Sequence, residues 1–253
     1  MSAVSPVLRK TIQELFTLPS LEKFGLGGGT NLALQYNHRI SDDIDLFCHE
    51  IIGLAGYEQI INEVKGLYGE KVFGISFPCD INDQFTFLRF FLKADGLTIK
   101  VEVIQNMKHL DPIEVTEGIR VFSKKDIGLY KLSCAVNRGS KKDIYDLDFI
   151  TNDIPLIKLY QLLQSKTERY CEPEDKSIFD LDGVCAVKHP EKLLDFDNIP
   201  TSANIPAHTH DSINIIEGGK TFAVAKIEWR SKMRRLYEYL GLQFPGPKGI
   251  SIR

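Results

Sequence analysis

The sequence predicts an α/β fold of the α+β kind, in which a mixed β-sheet flanked by helices is followed by a mainly helical C-terminal half. Two observations support this prediction. Runs rich in β-branched and aromatic residues alternate with amphipathic helical patterns up to about residue 122. From residue 123 onward helical periodicity dominates, apart from an irregular Pro/Asp/Asn-rich stretch at 172–214. We therefore expect two domains, residues 1–122 with the sheet and residues 123–253 with most of the helices.

The N-terminal part predicts a unit of strand, turn, helix and strand. Ser5 followed by Pro6 is typical of a helix start, and apolar residues at helical spacing continue the first helix toward Pro19. The segment KFGLGGG then predicts a short strand that enters a glycine turn. A short helix over residues 30–36 and a half-buried strand at DIDLF complete the unit.

The remaining elements follow from the same patterns. An amphipathic helix is predicted over residues 57–68, followed by strands at KVFGISF, FTFLRFFLKA and TIKVEVIQ, with a fourth at EGIRVFS. Ser123 with Asp126, and Ser140 with Asp143, have the spacing of capping boxes that open two successive helices. The segment IPLIKLYQLLQSK predicts another helix, and a basic helix over residues 225–240 is the last.

Composition excludes several classes of protein. With 43% hydrophobic and 26% charged residues the chain can bury a core, and a net charge of −3 requires any nucleic-acid ligand to meet a local basic patch. Five cysteines at irregular spacing do not form a disulfide framework, which favours a reducing cytoplasm. No apolar run approaches the ~20 residues of a membrane span, and no secretory signal is visible, so we expect a soluble cytoplasmic protein with no membrane partner.

Three acidic residues are candidates for a metal site. Asp43 and Asp45 are two residues apart on a predicted strand, so their side chains leave the same face and lie close together. Two close carboxylates favour a divalent cation, and Mg²⁺ (or Mn²⁺) held by carboxylates and phosphate oxygens is the usual choice. Glu102 is a third acid on a strand whose neighbours Val101 and Val103 face the opposite side.

The glycine turn offers the other half of such a site. A glycine-rich turn that enters a helix presents unhindered backbone N–H groups and a helix N-terminus to a phosphate. Nucleotide phosphates linked by a metal ion to Asp43 and Asp45 would fit both features.

These residues resemble a known family. The segments GLGGGTNLAL, HRISDDIDLF and DIGLYKLSCAVNRGSKKDIYDLDFI are similar to the motifs of the AbiEii-type toxins, a branch of the nucleotidyltransferase superfamily related to DNA polymerase β. The resemblance covers roughly residues 20–150, and the last hundred residues match no motif. It implies a nucleotidyltransferase-type sheet, metal binding by Asp43 and Asp45, and contact between Lys131 and nucleotide. Arg138, Asp143 and Asp146 match the helical block of the family.

The candidate site residues follow from the residue patterns together with the resemblance. Asp143 has two open interpretations, a helix cap three residues after Ser140 or a catalytic acid, and Arg39 either contacts phosphate or, with His38, solvates a loop. The expected metal ligands are Asp43, Asp45 and Glu102. The expected catalytic residues are Asp43, Asp45, Glu102, Lys131 and Asp143. The expected nucleotide-binding residues are Gly28, Gly29, Thr30, Arg39, Lys131 and Arg138.

The predicted function is a Mg²⁺-dependent nucleotidyltransferase. It would transfer a nucleotide from a nucleoside triphosphate to an acceptor, with a tRNA-like RNA end as the first expectation, and the resemblance implies a toxin opposed by an antitoxin protein. The alternatives are transfer to a small molecule or protein, and a nucleotide-binding module with a spent active site. RNA would meet the basic C-terminal helix, which is either a solvated face or an RNA contact. Its basic residues are Arg230, Lys232, Arg234 and Arg235.

Overall fold

A mixed β-sheet organises the first half of the chain. The computed structural model describes residues 2–79, 82–181, 183–196 and 212–246. Within those residues seven strands form one sheet. The strands are β1 (Gly25–Leu26), β2 (Ile44–Phe47), β3 (Val72–Ser76), β4 (Phe87–Ala94), β5 (Leu97–Ile104), β6 (Glu114–Thr116) and β7 (Ile119–Val121). The helices are α1 (Pro6–Leu15), α2 (Gly28–Tyr36), α3 (Gly53–Tyr68), α4 (Lys124–Arg138), α5 (Lys141–Asp153), α6 (Leu156–Arg169) and α7 (Phe222–Tyr239).

The sheet order is β3-β4-β5-β2-β1-β7-β6, so β2 lies at the centre. β2 pairs with β5 in parallel and with β1 antiparallel, while β1 pairs with β7 in parallel. The parallel register places Asp45 directly beside Glu102, and the antiparallel register of β4 with β5 places Arg89 on the other side of Glu102. The register therefore sets three charged residues in one row across the middle of the sheet.

The predicted mixed sheet flanked by helices is confirmed, and the differences are local. Ser5 caps α1 as expected, since its side chain accepts a hydrogen bond from the N–H of Leu8. α2 begins at Gly28 rather than residue 30, and α3 begins at Gly53 rather than residue 57. β6 was missed because it is a three-residue, fully exposed edge strand with no burial pattern to reveal it. The boundary near residue 122 separates the strands from α4 to α7, but whether the two parts are separate domains stays a prediction.

Two hydrophobic clusters account for the core, and they meet at β2 and β5. One cluster packs α1 and α3 on the sheet, with Tyr57, Ile60 and Val64 of α3 buried. The other fills the helical half, and it includes Phe47 and Ile104 from the C-terminal ends of β2 and β5. Burial of apolar area at ~25 cal/mol per Å² is the main stabilising contribution in both clusters.

Residues 214–220 contact the loop that follows α2 and also helix α5. The N–H of Ile40 donates to the carbonyl of Asn214 at 2.8 Å, and Arg39 forms an isolated antiparallel bridge with Ile215. The hydroxyl of Tyr145 on α5 donates to the carbonyl of Lys220 at 2.6 Å. This segment therefore holds the loop between α2 and β2 in place. Within the described residues no helix has the length and apolarity to cross a membrane.

Candidate active site

The N-terminus of α2 lies directly against an acidic side chain. Its cap residue Gly27 has no side chain to bond the first helical N–H groups, which are therefore available to a ligand. Gly28 has a φ of 59°, and a Cβ there would lie 1.8 Å from Oδ2 of Asp45. A Cβ on Gly29 would lie 2.3 Å from Nη2 of Arg39. The positive φ and the contact with Asp45 favour glycine at Gly28, whereas a Cβ on Gly29 would displace only the end of the Arg39 side chain.

Thr30 fastens the helix to the acidic strand. Its side chain is fully buried, and its hydroxyl contacts Oγ of Ser41 at 2.8 Å and donates to the backbone carbonyl of Asp43. We expected this residue to help hold a triphosphate. Because the hydroxyl is engaged inside the protein, the contribution of Thr30 to a phosphate site rests on its backbone at the helix start.

Asp43, Asp45 and Glu102 come together at the centre of the sheet, as the sequence predicts. Asp43 immediately precedes β2, and Asp45 lies on β2 in register with Glu102 of β5. Two basic side chains contact these acids. Arg89 donates to Oε1 of Glu102 through Nε and Nη2, at 2.8 and 2.5 Å. Nζ of Lys100 lies 3.2 Å from Oε2 of Glu102 and 3.4 Å from Oδ2 of Asp43. Lys100 therefore bridges two of the three acids.

The pKa values of Asp45 and Glu102 are shifted in opposite directions. Burial, and then the adjacent Glu102 carboxylate, raise the pKa of Asp45 to about 7, although Lys100 partly opposes this. Burial alone would also raise the pKa of Glu102, but Lys100 and Arg89 outweigh it and hold that pKa below its usual range. The surroundings therefore favour the charged form of Glu102 and disfavour the charged form of Asp45.

The donor set fits a divalent cation through the aspartates. Mg²⁺ is commonly held by one or two carboxylates together with substrate phosphate oxygens, and Asp43 and Asp45 offer two carboxylates beside a helix N-terminus suited to phosphate. In the described part of the chain no group of three His, Cys, Asp or Glu side chains is arranged to hold a metal ion. Glu102 as a third ligand therefore stays a prediction, with Lys100 standing between it and Asp43.

A second layer of buried charge lies behind the helix terminus. Asp143 on α5 is fully buried and accepts from Nζ of Lys131 at 2.8 Å and from Nε and Nη2 of Arg138 at 2.6 and 2.7 Å. Burial alone would raise its pKa, but Arg138 and then Lys131 bring it down to about 2. The capping interpretation of Asp143 is wrong, because its carboxylate is committed to these cations and Ser140 makes no side-chain cap bond.

Asp146 continues this layer one turn further along α5. Its carboxylate accepts from Nε and Nη2 of Arg39 at 2.7 and 2.8 Å, and it contacts His38 Nε2 at 2.8 Å and Lys131 Nζ at 2.7 Å. Arg39 and Lys131 are both buried, and Asp143 and Asp146 raise the pKa of Lys131 against the effect of burial. The lysine ammonium therefore joins two acids on α5, and its charge lowers the pKa of Asp45 on β2.

Arg89 and Lys100 were missed as candidates. A signal existed for Lys100, since residues two apart on a strand share a face and the segment IKVEV places Lys100 beside Glu102. Arg89 was visible only through the pairing of β4 with β5. The roles of Gly28, Gly29, Arg39, Lys131 and Arg138 toward a nucleotide stay predictions, although all five lie around the helix terminus or in the charged layer behind it.

The basic C-terminal helix is only partly free to meet a ligand. On α7, Lys232 donates to the carbonyl and the carboxylate of Asp148, both at 2.7 Å, and so fastens the helix to α5. Arg234 and Arg235 are exposed, and Arg230 and Arg234 lie over the ring of Phe244 at 5.7 and 5.2 Å. The sequence also has His208, His210 and Asp211 at a spacing typical of metal ligands, which we interpret as a polar loop because no further His or Cys lies near them; these residues lie outside the described residues.

A mixed sheet with a glycine-entered helix beside carboxylates on adjacent strands is the arrangement of nucleotidyltransferases. The family model for the nucleotidyl transferase AbiEii toxin of type IV toxin–antitoxin systems matches residues 12–238. The chain belongs to this family. The match extends well beyond residues 20–150, where the sequence motifs end.

The chain is also similar to individual proteins. An uncharacterised protein of Aquifex aeolicus (strain VF5) is 28% identical over 147 residues, which are 56% of this chain and 64% of that protein. The chain thus matches less than two thirds of that relative's length. MenT4, a nucleotidyltransferase toxin from Mycobacterium tuberculosis H37Rv, superposes with a TM-score of 0.41 at 14% identity, over 90% of this chain and 91% of that one.

Proposed function

We propose that the chain is a metal-dependent nucleotidyltransferase that moves a nucleotide from a nucleoside triphosphate to an RNA end. The observation that carries the proposal is the contact between the start of α2 and Asp45, where a Cβ on Gly28 would lie 1.8 Å from the carboxylate oxygen. A phosphate bound at the helix terminus would be next to Asp43 and Asp45. That is the relation needed to hold a metal ion between protein and triphosphate.

In the proposed reaction the start of α2 binds phosphate and the two aspartates hold the metal ion. The N–H groups at Gly28, Gly29 and Thr30 bind phosphate oxygens, and the buried ammonium of Lys131 contributes positive charge that acts on Asp45. Mg²⁺ or Mn²⁺ held by Asp43 and Asp45, when bound, would polarise the α-phosphate and neutralise the departing diphosphate.

The charged layer formed by Lys131, Arg138, Asp143, Asp146 and Arg39 keeps the cations fixed. Because the two acids on α5 are fully buried and paired, Lys131 and Arg39 are held in single positions before substrate arrives. Such preorganised charge costs no rearrangement when negative charge develops on the leaving group. Asp143 in this account orients Lys131 and Arg138 and is not itself a proton acceptor, since its pKa lies near 2.

RNA is the proposed acceptor because the exposed part of α7 carries Arg234 and Arg235 on a chain that is acidic overall. Guanidinium groups pair with phosphate in bidentate geometry, which suits an RNA backbone. Membership of a type IV toxin–antitoxin family implies an antitoxin partner, and we propose that growth arrest on expression of this chain is relieved by that protein.

The proposal is tested by incubating the protein and Mg²⁺ with each labelled nucleoside triphosphate and total RNA. We expect label in RNA with one preferred nucleotide, loss of transfer on addition of EDTA, and loss by orders of magnitude in Asp45→Asn. Asp42→Asn is the matched control, because Asp42 is the exposed neighbour of the pair and should leave transfer unchanged. Label found on protein or on small molecules would replace RNA as acceptor, and absence of transfer with every nucleotide would indicate a spent site.

A further inference from the structure

Lys100 occupies an unusual place among the acids of the site. Its ammonium lies 3.4 Å from Asp43 and 3.2 Å from Glu102, and its side chain is 25% exposed. Within the described residues Asp45 makes no ion pair, although it lies on the neighbouring strand in register with Glu102. Lys100 therefore pairs with the exposed Asp43 and with the less exposed Glu102. In the described part of the chain it leaves Asp45 without an ion pair.

Lys100 and a divalent cation would use the same negative charge. Asp43 is the outer carboxylate, with 42% of its side chain exposed, and an oxygen that pairs with an ammonium is not at the same moment a metal ligand. Like charges a few ångströms apart inside a partly buried site repel one another strongly, so binding of one cation disfavours the other. A lysine ammonium is a compact charge on a flexible four-carbon stem, which permits it to leave without movement of the backbone.

Arg89 does not share this property. Its guanidinium takes Oε1 of Glu102 through two donors, whereas Lys100 takes Oε2. Glu102 would therefore keep a partner and its position when Lys100 leaves. Arg89 thus pairs with Glu102 alone, whereas Lys100 pairs with both Glu102 and Asp43.

We propose that Lys100 is an internal counter-cation that competes with the divalent metal for Asp43 and Glu102 and is displaced when the metal binds. The inference rests on the proposed function, because it assumes that Asp43 and Asp45 are the metal ligands. Lys100 holds the acids together in the metal-free protein and lowers its affinity for metal. Its displacement frees one oxygen of Glu102, which Lys100 contacts at 3.2 Å.

Direct metal binding tests the proposal without reference to activity. The Kd for Mn²⁺ is measured by electron paramagnetic resonance, without nucleotide, for the parent and for Lys100→Met, which keeps the length of the side chain and removes its charge. We expect the Kd of Lys100→Met to be at least threefold lower, and up to about tenfold lower, because a competing unit charge is gone. Lys100→Arg keeps the charge and should bind Mn²⁺ more weakly than Lys100→Met.

Lys93→Met is the matched control, since Lys93 lies on β4 of the same sheet and its ammonium lies over the ring of Phe73 at 5.4 Å. Its Mn²⁺ affinity should equal that of the parent. If Lys100→Met does not fold, as judged by circular dichroism, Lys100→Gln replaces it in the same comparison. A decrease in Kd of less than threefold in the folded neutral variant, or any increase, overturns the proposal.

The parent protein provides a second measurement. Displacement should make the ε-amine of Lys100 more reactive, so brief acetylation followed by mass spectrometry should show more modified Lys100 with Mn²⁺ than without it. Equal modification in both conditions would overturn displacement. If the parent does not bind Mn²⁺ at all, the proposed metal site itself fails, whereas Mn²⁺ binding with no effect at Lys100 removes only the present inference.

Discussion

Neutralising Asp45 should stabilise the metal-free protein while it destroys the proposed activity. Burial and the adjacent Glu102 raise the pKa of Asp45 from its ordinary 3.8 to about 7. One pKa unit corresponds to about 1.36 kcal/mol, so the charged form of Asp45 costs the folded state up to about 4 kcal/mol at pH 8. Asp45→Asn removes that charge, and we expect it to increase the free energy of unfolding by ~1–4 kcal/mol at pH 8 in the presence of EDTA.

The raised pKa of Asp45 also predicts how the free energy of unfolding changes with pH. An acid whose pKa is higher in the folded state holds its proton longer when folded, so the unfolded state ionises first as the pH rises. The parent should therefore lose stability between pH ~4 and pH ~7 through this group, and the difference between Asp45→Asn and the parent should shrink to near zero at pH 4.

Urea denaturation at pH 4 and pH 8 measures both free energies. Asp42→Asn is the control, because Asp42 is exposed and its substitution should change the free energy of unfolding by no more than ~0.5 kcal/mol. Asp45→Asn that unfolds at lower urea concentration than the parent at pH 8 would refute the reasoning. Such a result would mean that the Asp45 carboxylate stabilises the fold and is not held under repulsion for a cation.

Three further predictions follow from the charged layer and the glycine turn. Asp143→Asn should lower the free energy of unfolding by ~3–5 kcal/mol, because it leaves Arg138 without its buried partner and Lys131 with Asp146 alone. Ser140→Ala should lower the free energy of unfolding by less than ~0.5 kcal/mol, since Ser140 makes no side-chain cap bond; similar losses for both variants in urea denaturation would restore the capping interpretation. The carboxylate of Asp143 has a depressed pKa of about 2, so its contribution to stability is present above pH ~4 and should be lost between pH ~4 and pH ~2 in the parent but not in Asp143→Asn. Gly28→Ala should lower the free energy of unfolding by ~1–3 kcal/mol, because Gly28 has a positive φ and lies against Asp45. Gly66→Ala on α3, where a Cβ meets open space, should be neutral or stabilising by up to ~1 kcal/mol, and calorimetric melting of both variants measures the difference.

The sequence predicted what is encoded within short segments. The glycine turn, the strand of Asp45 and the strand of Glu102 each carry a local pattern of glycine spacing or alternating burial, and the structure brings them together at the centre of the sheet. The expected convergence of Asp43, Asp45 and Glu102 followed from these patterns because strands that share a sheet place equivalent residues side by side.

Contacts between distant elements were not predictable in the same way. Asp143 follows Ser140 at the spacing of a capping box, yet its partners are Lys131 and Arg138 on the preceding helix, so packing of α4 against α5 decided its role over the local pattern. His38 and Arg39 looked like loop residues because nothing near them in sequence indicated Asp146, which lies 108 and 107 positions away. Pairing of buried charges is set by tertiary structure, and a single sequence does not show it.

The loop after α2 pairs with residues near 214–216, which are synthesised much later than the loop itself. Gly28, Asp43, Asp45 and Glu102 leave the ribosome early, and Asp146 follows. The backbone partners of Ile40 and Arg39, at Asn214 and Ile215, come about seventy residues after Asp146. A nascent chain that already contains every proposed nucleotide-site residue therefore still lacks the backbone partners of the loop that carries Arg39. A chain synthesised only as far as Asp146 can therefore pair Arg39 with that acid, but the backbone of the Arg39 loop finds its partner only after Ile215 has been added.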